Sequence, residues 1–256
     1  MSLQSCAELV ERGDPDRFLA AMAAPPAARA VLFPLYAFNL EVARAPWVAS
    51  EPMIAEMRLQ FWRDVAEEIG QGAEPRAHEV VEPLAAAIRA EDAALLDGLV
   101  AARRWDVYRD AFEDEDHFDR YIQATSGNLA WVAARALGAP PQAETSVRDL
   151  AWGAGVAALL RAVPELEARG RVPLLDGRPE AVRDLAARGL ERVRRGRAGQ
   201  GAVPRSARPA CFAFWRSEST LRSAIAKPRR VAEGTLGESE FARRLRLIRV
   251  SLTGRL

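Results

Sequence analysis

Apolar residues recur at helical spacing wherever a period can be read along the chain, and no stretch shows the sustained alternation or β-branched enrichment of a strand. The expected fold class is therefore all-α. Proline and glycine divide the pattern into helices: Asp16 to Ala23 and Ala27 to Arg44, parted by Pro25-Pro26, with Pro46 closing the second. Ser50 is placed to cap a helix that carries Glu51 and Pro52 in its first turn and runs to about Ile69, before Gly70-Gln71-Gly72. Along it Met53, Met57, Phe61 and Val65 recur every four residues, which predicts one buried stripe. Further helices are expected over Glu79 to Ala90, Ala93 to Arg109, Phe118 to Leu137, Ser146 to Glu167, Ala181 to Arg197, Arg208 to Ile225 and Glu238 to Leu252. With no repeat and no linker long enough to divide the chain, residues 1–256 read as a single domain.

A hydrophobic fraction of 49% is enough for a sizeable core and excludes a disordered or fibrous chain. The balance of 36 basic against 35 acidic residues hides a dipole along the sequence. Residues 171–256 hold 20 basic and 8 acidic residues, whereas residues 1–170 hold 16 and 27. The N-terminus lacks a basic region followed by an apolar core, and Glu8, Glu11, Asp14 and Asp16 argue against a transit peptide. Cys6 and Cys211 form no CxxC pair and fit a reducing compartment. The cytoplasm of a bacterium is the expected location, with a peripheral place on the inner membrane as its extension.

Several motifs allow a functional and a structural reading side by side. Glu115-Asp116-His117-Phe118-Asp119 has the outline of a DDxxD element that holds Mg²⁺ against a diphosphate; it also reads as a solvated helix start capped by Asp116 or Asp119. His78 and His117 have no third group at ligand spacing, which argues against zinc hydrolysis and histidine-based triads. Gly153-Ala154-Gly155 lies inside a helical pattern with no preceding strand, so it reads as a close helix crossing rather than a dinucleotide loop. The arginines between Arg188 and Arg208 suit either an RNA or anionic-lipid surface or a solvated helix face, and no interleaved aromatic residues support nucleic acid. Polar residues within apolar helices are more informative: Asn39 and Glu41 after Leu35-Tyr36-Ala37-Phe38, Gln60 beside Phe61-Trp62, Asn128 after Ser126-Gly127, and Arg161 after Leu159-Leu160. Buried polar groups must be paired, so these predict an internal network or a lined cavity.

The order of Asp16-Arg17-Phe18, Leu35-Tyr36-Ala37-Phe38, Tyr121 with Ser126-Gly127, Arg161, and Gly170-Arg171-Val172 resembles the squalene/phytoene synthase family. That resemblance implies an isoprenoid-synthase-like bundle of antiparallel helices around a central cavity. Active members carry two DxxxD motifs on facing helices, where Mg²⁺ bridges the aspartates to the substrate diphosphates. Aligned through Tyr36-Ala37-Phe38, the first motif's aspartate positions fall on Ala43 or Arg44 and on Trp47. Aligned through Arg161, the second motif's positions fall on Ala162 and Leu166, and the family's asparagine falls on Ala158. None of these side chains ligates Mg²⁺. Asn39-Leu40-Glu41, Met57-Arg58-Leu59-Gln60-Phe61-Trp62 and Leu160-Arg161-Ala162-Val163-Pro164 resemble a branch that includes a mitochondrial assembly factor for respiratory complex I and lacks the aspartate motifs.

The reading that follows is a catalytically degraded synthase relative without catalytic residues or metal, acting as a complex I assembly or accessory factor and retaining a lipid-sized cavity. Its expected partners are complex I subunits, an isoprenoid or other lipid, and an anionic membrane face; nucleic acid is not expected. Tyr36, Asn39, Glu41, Gln60, Asn128 and Arg161 are the candidates for a residual polar pocket, in which Arg161 either receives an anionic group or pairs with Glu41. No cofactor is expected. The competing reading is an active prenyl diphosphate synthase, with Mg²⁺ held by displaced acids such as Glu41, Asp64, Asp116 and Asp119 facing one cavity. A third is a carrier of an isoprenoid or lipid.

Overall fold

A computed structural model describes residues 3–48, 51–108 and 110–254. Within them the chain is helical, and no strand is found among the described residues. The helices are α1 (Leu3–Gly13), α2 (Pro15–Met22), α3 (Pro26–Val48), α4 (Pro52–Gln71), α5 (Val81–Ala87), α6 (Ala93–Arg103) and α7 (Trp105–Tyr108). After these come α8 (Glu115–Ile122), α9 (Asn128–Ala136), α10 (Glu144–Ala168), α11 (Pro179–Ala198), α12 (Ser217–Ala226), α13 (Arg229–Ala232) and α14 (Glu240–Thr253). Short polar residues start several of them by satisfying a free backbone N–H. Asp14 accepts from the Arg17 N–H with Pro15 in the first turn of α2, Asp114 accepts from the His117 N–H at α8, and Ser239 accepts from the Ala242 N–H at α14. The cap of α8 is therefore Asp114 rather than Asp116 or Asp119. Gly72, at φ 68°, ends α4 in the left-handed conformation that favours glycine.

The centre of the molecule is built on α3 and α10. Each buries side chains on nearly all sides, from Leu32, Leu35 and Phe38 on α3 to Leu150, Trp152 and Leu160 on α10. Around them, α1, α4, α5 and α9 pack on α3, while α9, α11 and α12 pack on α10. This enclosure surrounds Pro34, itself buried between Phe33 and Leu35; α3 also runs through Pro46, which was expected to end it, into the half-buried Trp47 and the exposed Val48. A proline inside a helix costs about 3 kcal/mol, and at Pro34 burial of the neighbouring apolar residues offsets it.

Four other expectations change. Met53 and Met57 are 71% and 67% exposed, so the predicted buried stripe fails at its N-terminal end. Side chains four apart advance by about 40° around the helix at each step. The face that α4 buries instead steps by four and three, through Ala55, Leu59, Trp62, Ala66 and Ile69. The helix expected from Phe118 to Leu137 is interrupted by a π-helical turn over Gln123–Gly127, with the Thr125 hydroxyl donating to the Tyr121 carbonyl at 2.7 Å. The helix expected from Arg208 begins as a 3-10 segment, Arg208–Phe214, and becomes α-helical only at Ser217. Helix α1 was not anticipated. The proposed cap Ser50 and helix end Arg109 lie outside the described residues.

Candidate functional site

A cavity of about 110 Å³ opens between α2, α3, α9, α10 and the segment entering α12. Its apolar wall is made largely of alanines of α9 and α10 together with Phe214, and its polar rim carries Asp16, Arg17, Ser126, Arg161 and Arg216. Ser126 reaches the cavity from the π turn, opposite Gly155, where a Cβ would stand 2.6 Å from the Ser126 hydroxyl oxygen. Tyr36 closes the inner side: its hydroxyl is buried without a hydrogen-bond partner, and burial pushes its pKa above the ordinary value. The cavity is smaller than the roughly 300–1,000 Å³ of typical small-molecule sites.

Asp16 is the hub of the rim. Its carboxylate accepts from Arg161 Nη1 at 3.1 Å, from Arg243 Nη2 at 2.9 Å, and from Arg216. One carboxylate thereby ties α2 to α10, to the start of α12 and to α14. Burial acts to raise its pKa, but the hydrogen bonds and charges of Arg216 and Arg161 outweigh burial and hold it below the ordinary 3.8. A carboxyl lowered in the folded state stabilises above its unfolded pKa and loses that contribution as pH falls through the folded value. Asp16→Asn is thus expected to cost roughly 1.5–3 kcal/mol near neutral pH. Urea denaturation from pH 7 to pH 3 should show the difference from wild type shrinking at the acid end; a difference that grows towards pH 3 contradicts the ion-pair hub.

The six residues singled out in sequence do not converge. Tyr36 and Arg161 line the cavity. Asn39 is buried in α3, and Gln60 is exposed and donates to Asp64 at 2.7 Å. Asn128 donates to the Leu95 carbonyl and accepts from Arg148, joining α9 to α6 and α10. Glu41 lines a separate surface depression with Ile54, Met57, Phe61 and His78, so the pair made by Arg161 is with Asp16 rather than with Glu41. Arg216 and Arg243 were missed, because nothing local in the sequence marks partners 200 and 227 residues from Asp16.

A second buried cluster gathers two segments that the family resemblance had marked separately. Asp106 accepts from the Tyr121 hydroxyl at 2.9 Å, from Arg103 Nη1 at 3.0 Å and from Arg171 Nη2 at 3.3 Å. Arg171 also donates to the Asp106 carbonyl at 2.7 Å and lies over the Trp105 ring at 4.2 Å. Burial, together with the neighbouring Asp106 carboxylate, raises the Tyr121 hydroxyl pKa, keeping it a proton donor.

The positions that align with the synthase aspartates do not fit Mg²⁺. Ala43, Ala162 and Leu166 offer no donor, and Trp47 is covered by the guanidinium groups of Arg169 and Arg171 at 5.1 and 5.9 Å from its ring. Among the described residues, no three His, Cys, Asp or Glu side chains come close enough together to hold a metal ion. The displaced acids do not gather either: Asp116 is exposed, Asp119 pairs with Arg188 and Arg192, and Asp64 accepts from Gln60. Several arginines of the basic C-terminal region pair with acids of the first 170 residues. Arg188 meets Glu115 at 2.9 Å, while Arg192 and Arg195 meet Asp149 at 3.4 and 2.9 Å.

The sequence profile of the squalene/phytoene synthase family matches residues 10–174, from α1 to just beyond α10. The chain belongs to this family. Two solved synthases have the same fold. The squalene/phytoene synthase fold of this chain superimposes on a dehydrosqualene synthase crystallised with a ligand with a TM-score of 0.81, at 13% identity over 98% of this chain and 95% of that one. For squalene synthase from Alicyclobacillus acidocaldarius the TM-score is 0.69, at 16% identity over 90% and 94%. Curated relatives within reach of the sequence carry a different name. NADH dehydrogenase (ubiquinone) complex I assembly factor 6 from Bos taurus is 26% identical over 170 residues, covering 65% of this chain and 51% of that protein. Its Drosophila melanogaster homolog is 28% identical over 177 residues, covering 66% and 53%, and the Homo sapiens protein is 26% identical over 170 residues. The chain spans about half the length of these curated relatives.

Proposed function

We propose that this member of the squalene/phytoene synthase family is a catalytically degraded synthase that serves as an assembly or accessory factor for respiratory complex I. The observation that carries the reading is the synthase scaffold with Ala43, Trp47, Ala162 and Leu166 at the positions that align with metal-binding aspartates, and with arginines over Trp47. Ionising an allylic diphosphate requires its leaving charge to be neutralised, and a tryptophan capped by guanidiniums holds no Mg²⁺ for that step. The similarity to complex I assembly factor 6 over about two thirds of the chain supports the same reading. The action is through protein contacts, and complex I subunits are the proposed partners. A carrier role for an isoprenoid finds little support in a cavity of about 110 Å³.

Deletion in the source organism separates this function from synthesis. Assembled complex I, measured by native gels and NADH oxidation in membranes, is expected to fall, while squalene, hopanoid and carotenoid contents stay unchanged. Purified protein given farnesyl or geranylgeranyl diphosphate with Mg²⁺ and NADPH is expected to yield no condensed product, whether diphosphate or hydrocarbon. A condensed product, or lost terpenoids with intact complex I, overturns the proposal.

A further inference from the structure

Helix α14 has an inner and an outer face of opposite character. Its inner face is fixed by named contacts: Val250 is buried, Leu247 packs on the core, Arg243 donates to Asp16, and Arg246 Nη2 lies 2.9 Å from Glu238. The Ser251 hydroxyl donates to the Ala23 carbonyl at 3.2 Å, holding the far end of the helix against the chain that follows α2. With that orientation set, Phe241, Leu245, Ile248 and Leu252 point outward, 77%, 58%, 55% and 82% exposed. Their spacing of four, three and four keeps them in one row about 16 Å long.

Arg244 and Arg249 are exposed and, by helical geometry, fall on opposite sides of that row. Arg205 and Arg208 line the same surface depression as Leu252 and add positive charge at its end. On the Arg244 side the charge is partly offset by Glu240, the acid on α14, which also pairs with Arg243. We infer that α14 is an interfacial helix that lays Phe241, Leu245, Ile248 and Leu252 into a lipid bilayer whose anionic headgroups meet the flanking arginines. A ridge of large apolar side chains with cations on both shoulders matches the depth profile of a membrane surface, where apolar groups enter by about 5–10 Å and arginines stay at headgroup level. A second copy of the chain fits less well, since pairing two such ridges sets arginine flanks against arginine flanks. No helix among the described residues is long and apolar enough to cross a membrane, so contact through α14 is peripheral.

The test uses the full chain in flotation assays with vesicles of phosphatidylcholine alone or mixed with phosphatidylglycerol. Binding is expected to the mixed vesicles, to weaken with added salt, and to drop more than about tenfold in the Leu245→Asp/Leu252→Asp double variant. Both substituted side chains are exposed, so the thermal midpoint of the variant should match that of wild type. Arg244→Glu/Arg249→Glu is expected to weaken binding to the mixed vesicles selectively. Equal binding by wild type and the apolar-to-aspartate variant overturns the inference, as does absence of binding at low salt. A wild-type dimer dissolved by the same variant, without vesicle binding, also overturns it and assigns the ridge to a second copy. The assay contains no complex I component, so its outcome is independent of the assembly role.

Discussion

Asp106→Ala is expected to destabilise the protein by about 3–5 kcal/mol, a large share of the roughly 5–15 kcal/mol available to a folded domain. The carboxylate stands between two guanidiniums and a tyrosine hydroxyl, all in a buried setting: Arg171 and Asp106 are almost wholly enclosed, and Arg103 is partly so. Without it, two like charges face each other with no counter-charge, and the Tyr121 hydroxyl loses its acceptor. Asp106→Asn keeps an acceptor but not the charge, so an intermediate loss is expected. The urea midpoint of each variant measures this. A loss below about 1 kcal/mol for the alanine variant would mean that water replaces the carboxylate, contrary to a dry cluster. The consequence reaches beyond stability, because Arg171 also covers Trp47, one of the positions that align with a synthase aspartate.

Gly153→Val should be comparably damaging, for a steric reason. A Cβ at Gly153 would lie 2.5 Å from Val193 Cγ2 and 2.6 Å from the Gly189 carbonyl oxygen, so α10 and α11 touch here through backbone. A side chain can rotate away, but a carbonyl inside α11 moves only if the helices separate. Around it Trp152, Val156 and Val193 are buried and would lose contacts together. The expected cost is at least about 3 kcal/mol, or roughly 6–12 °C in thermal midpoint for a chain of this size. Gly177→Ala is the control, since nothing lies within 4 Å of a Cβ there, and it should melt with wild type. If the two variants melt together, the close crossing of α10 and α11 is not a constraint on the fold.

These two sites differ in how much of them the sequence revealed. The run Gly153-Ala154-Gly155 within an apolar helical pattern pointed to a close helix crossing, and the structure supplies the partners: α11 at Gly153, and Ser126 with Ile122 at Gly155. Tyr121 and Arg171 stood out through the family resemblance, yet nothing local in the sequence marked Asp106, which joins them. The Met53 and Met57 stripe misled because a four-residue repeat approximates 3.6 only over a turn or two. The charge split was legible as numbers, but only the structure shows Asp16, Asp106, Asp119 and Asp149 paired with arginines from beyond residue 160.

The sequence by itself determined the all-helical class, most helix positions and the family resemblance, which sets Ala43, Trp47, Ala162 and Leu166 where it leads one to expect aspartates. Those are local properties, set by periodicity, caps and residue identity. Tertiary structure alone decided that Arg161, Arg216 and Arg243 converge on Asp16, that the cavity is small, and that α14 turns four large apolar residues outward. Each depends on segments distant in sequence meeting in space. Period and composition specify which face of a helix is apolar, but whether another element covers that face depends on the packing of the whole chain.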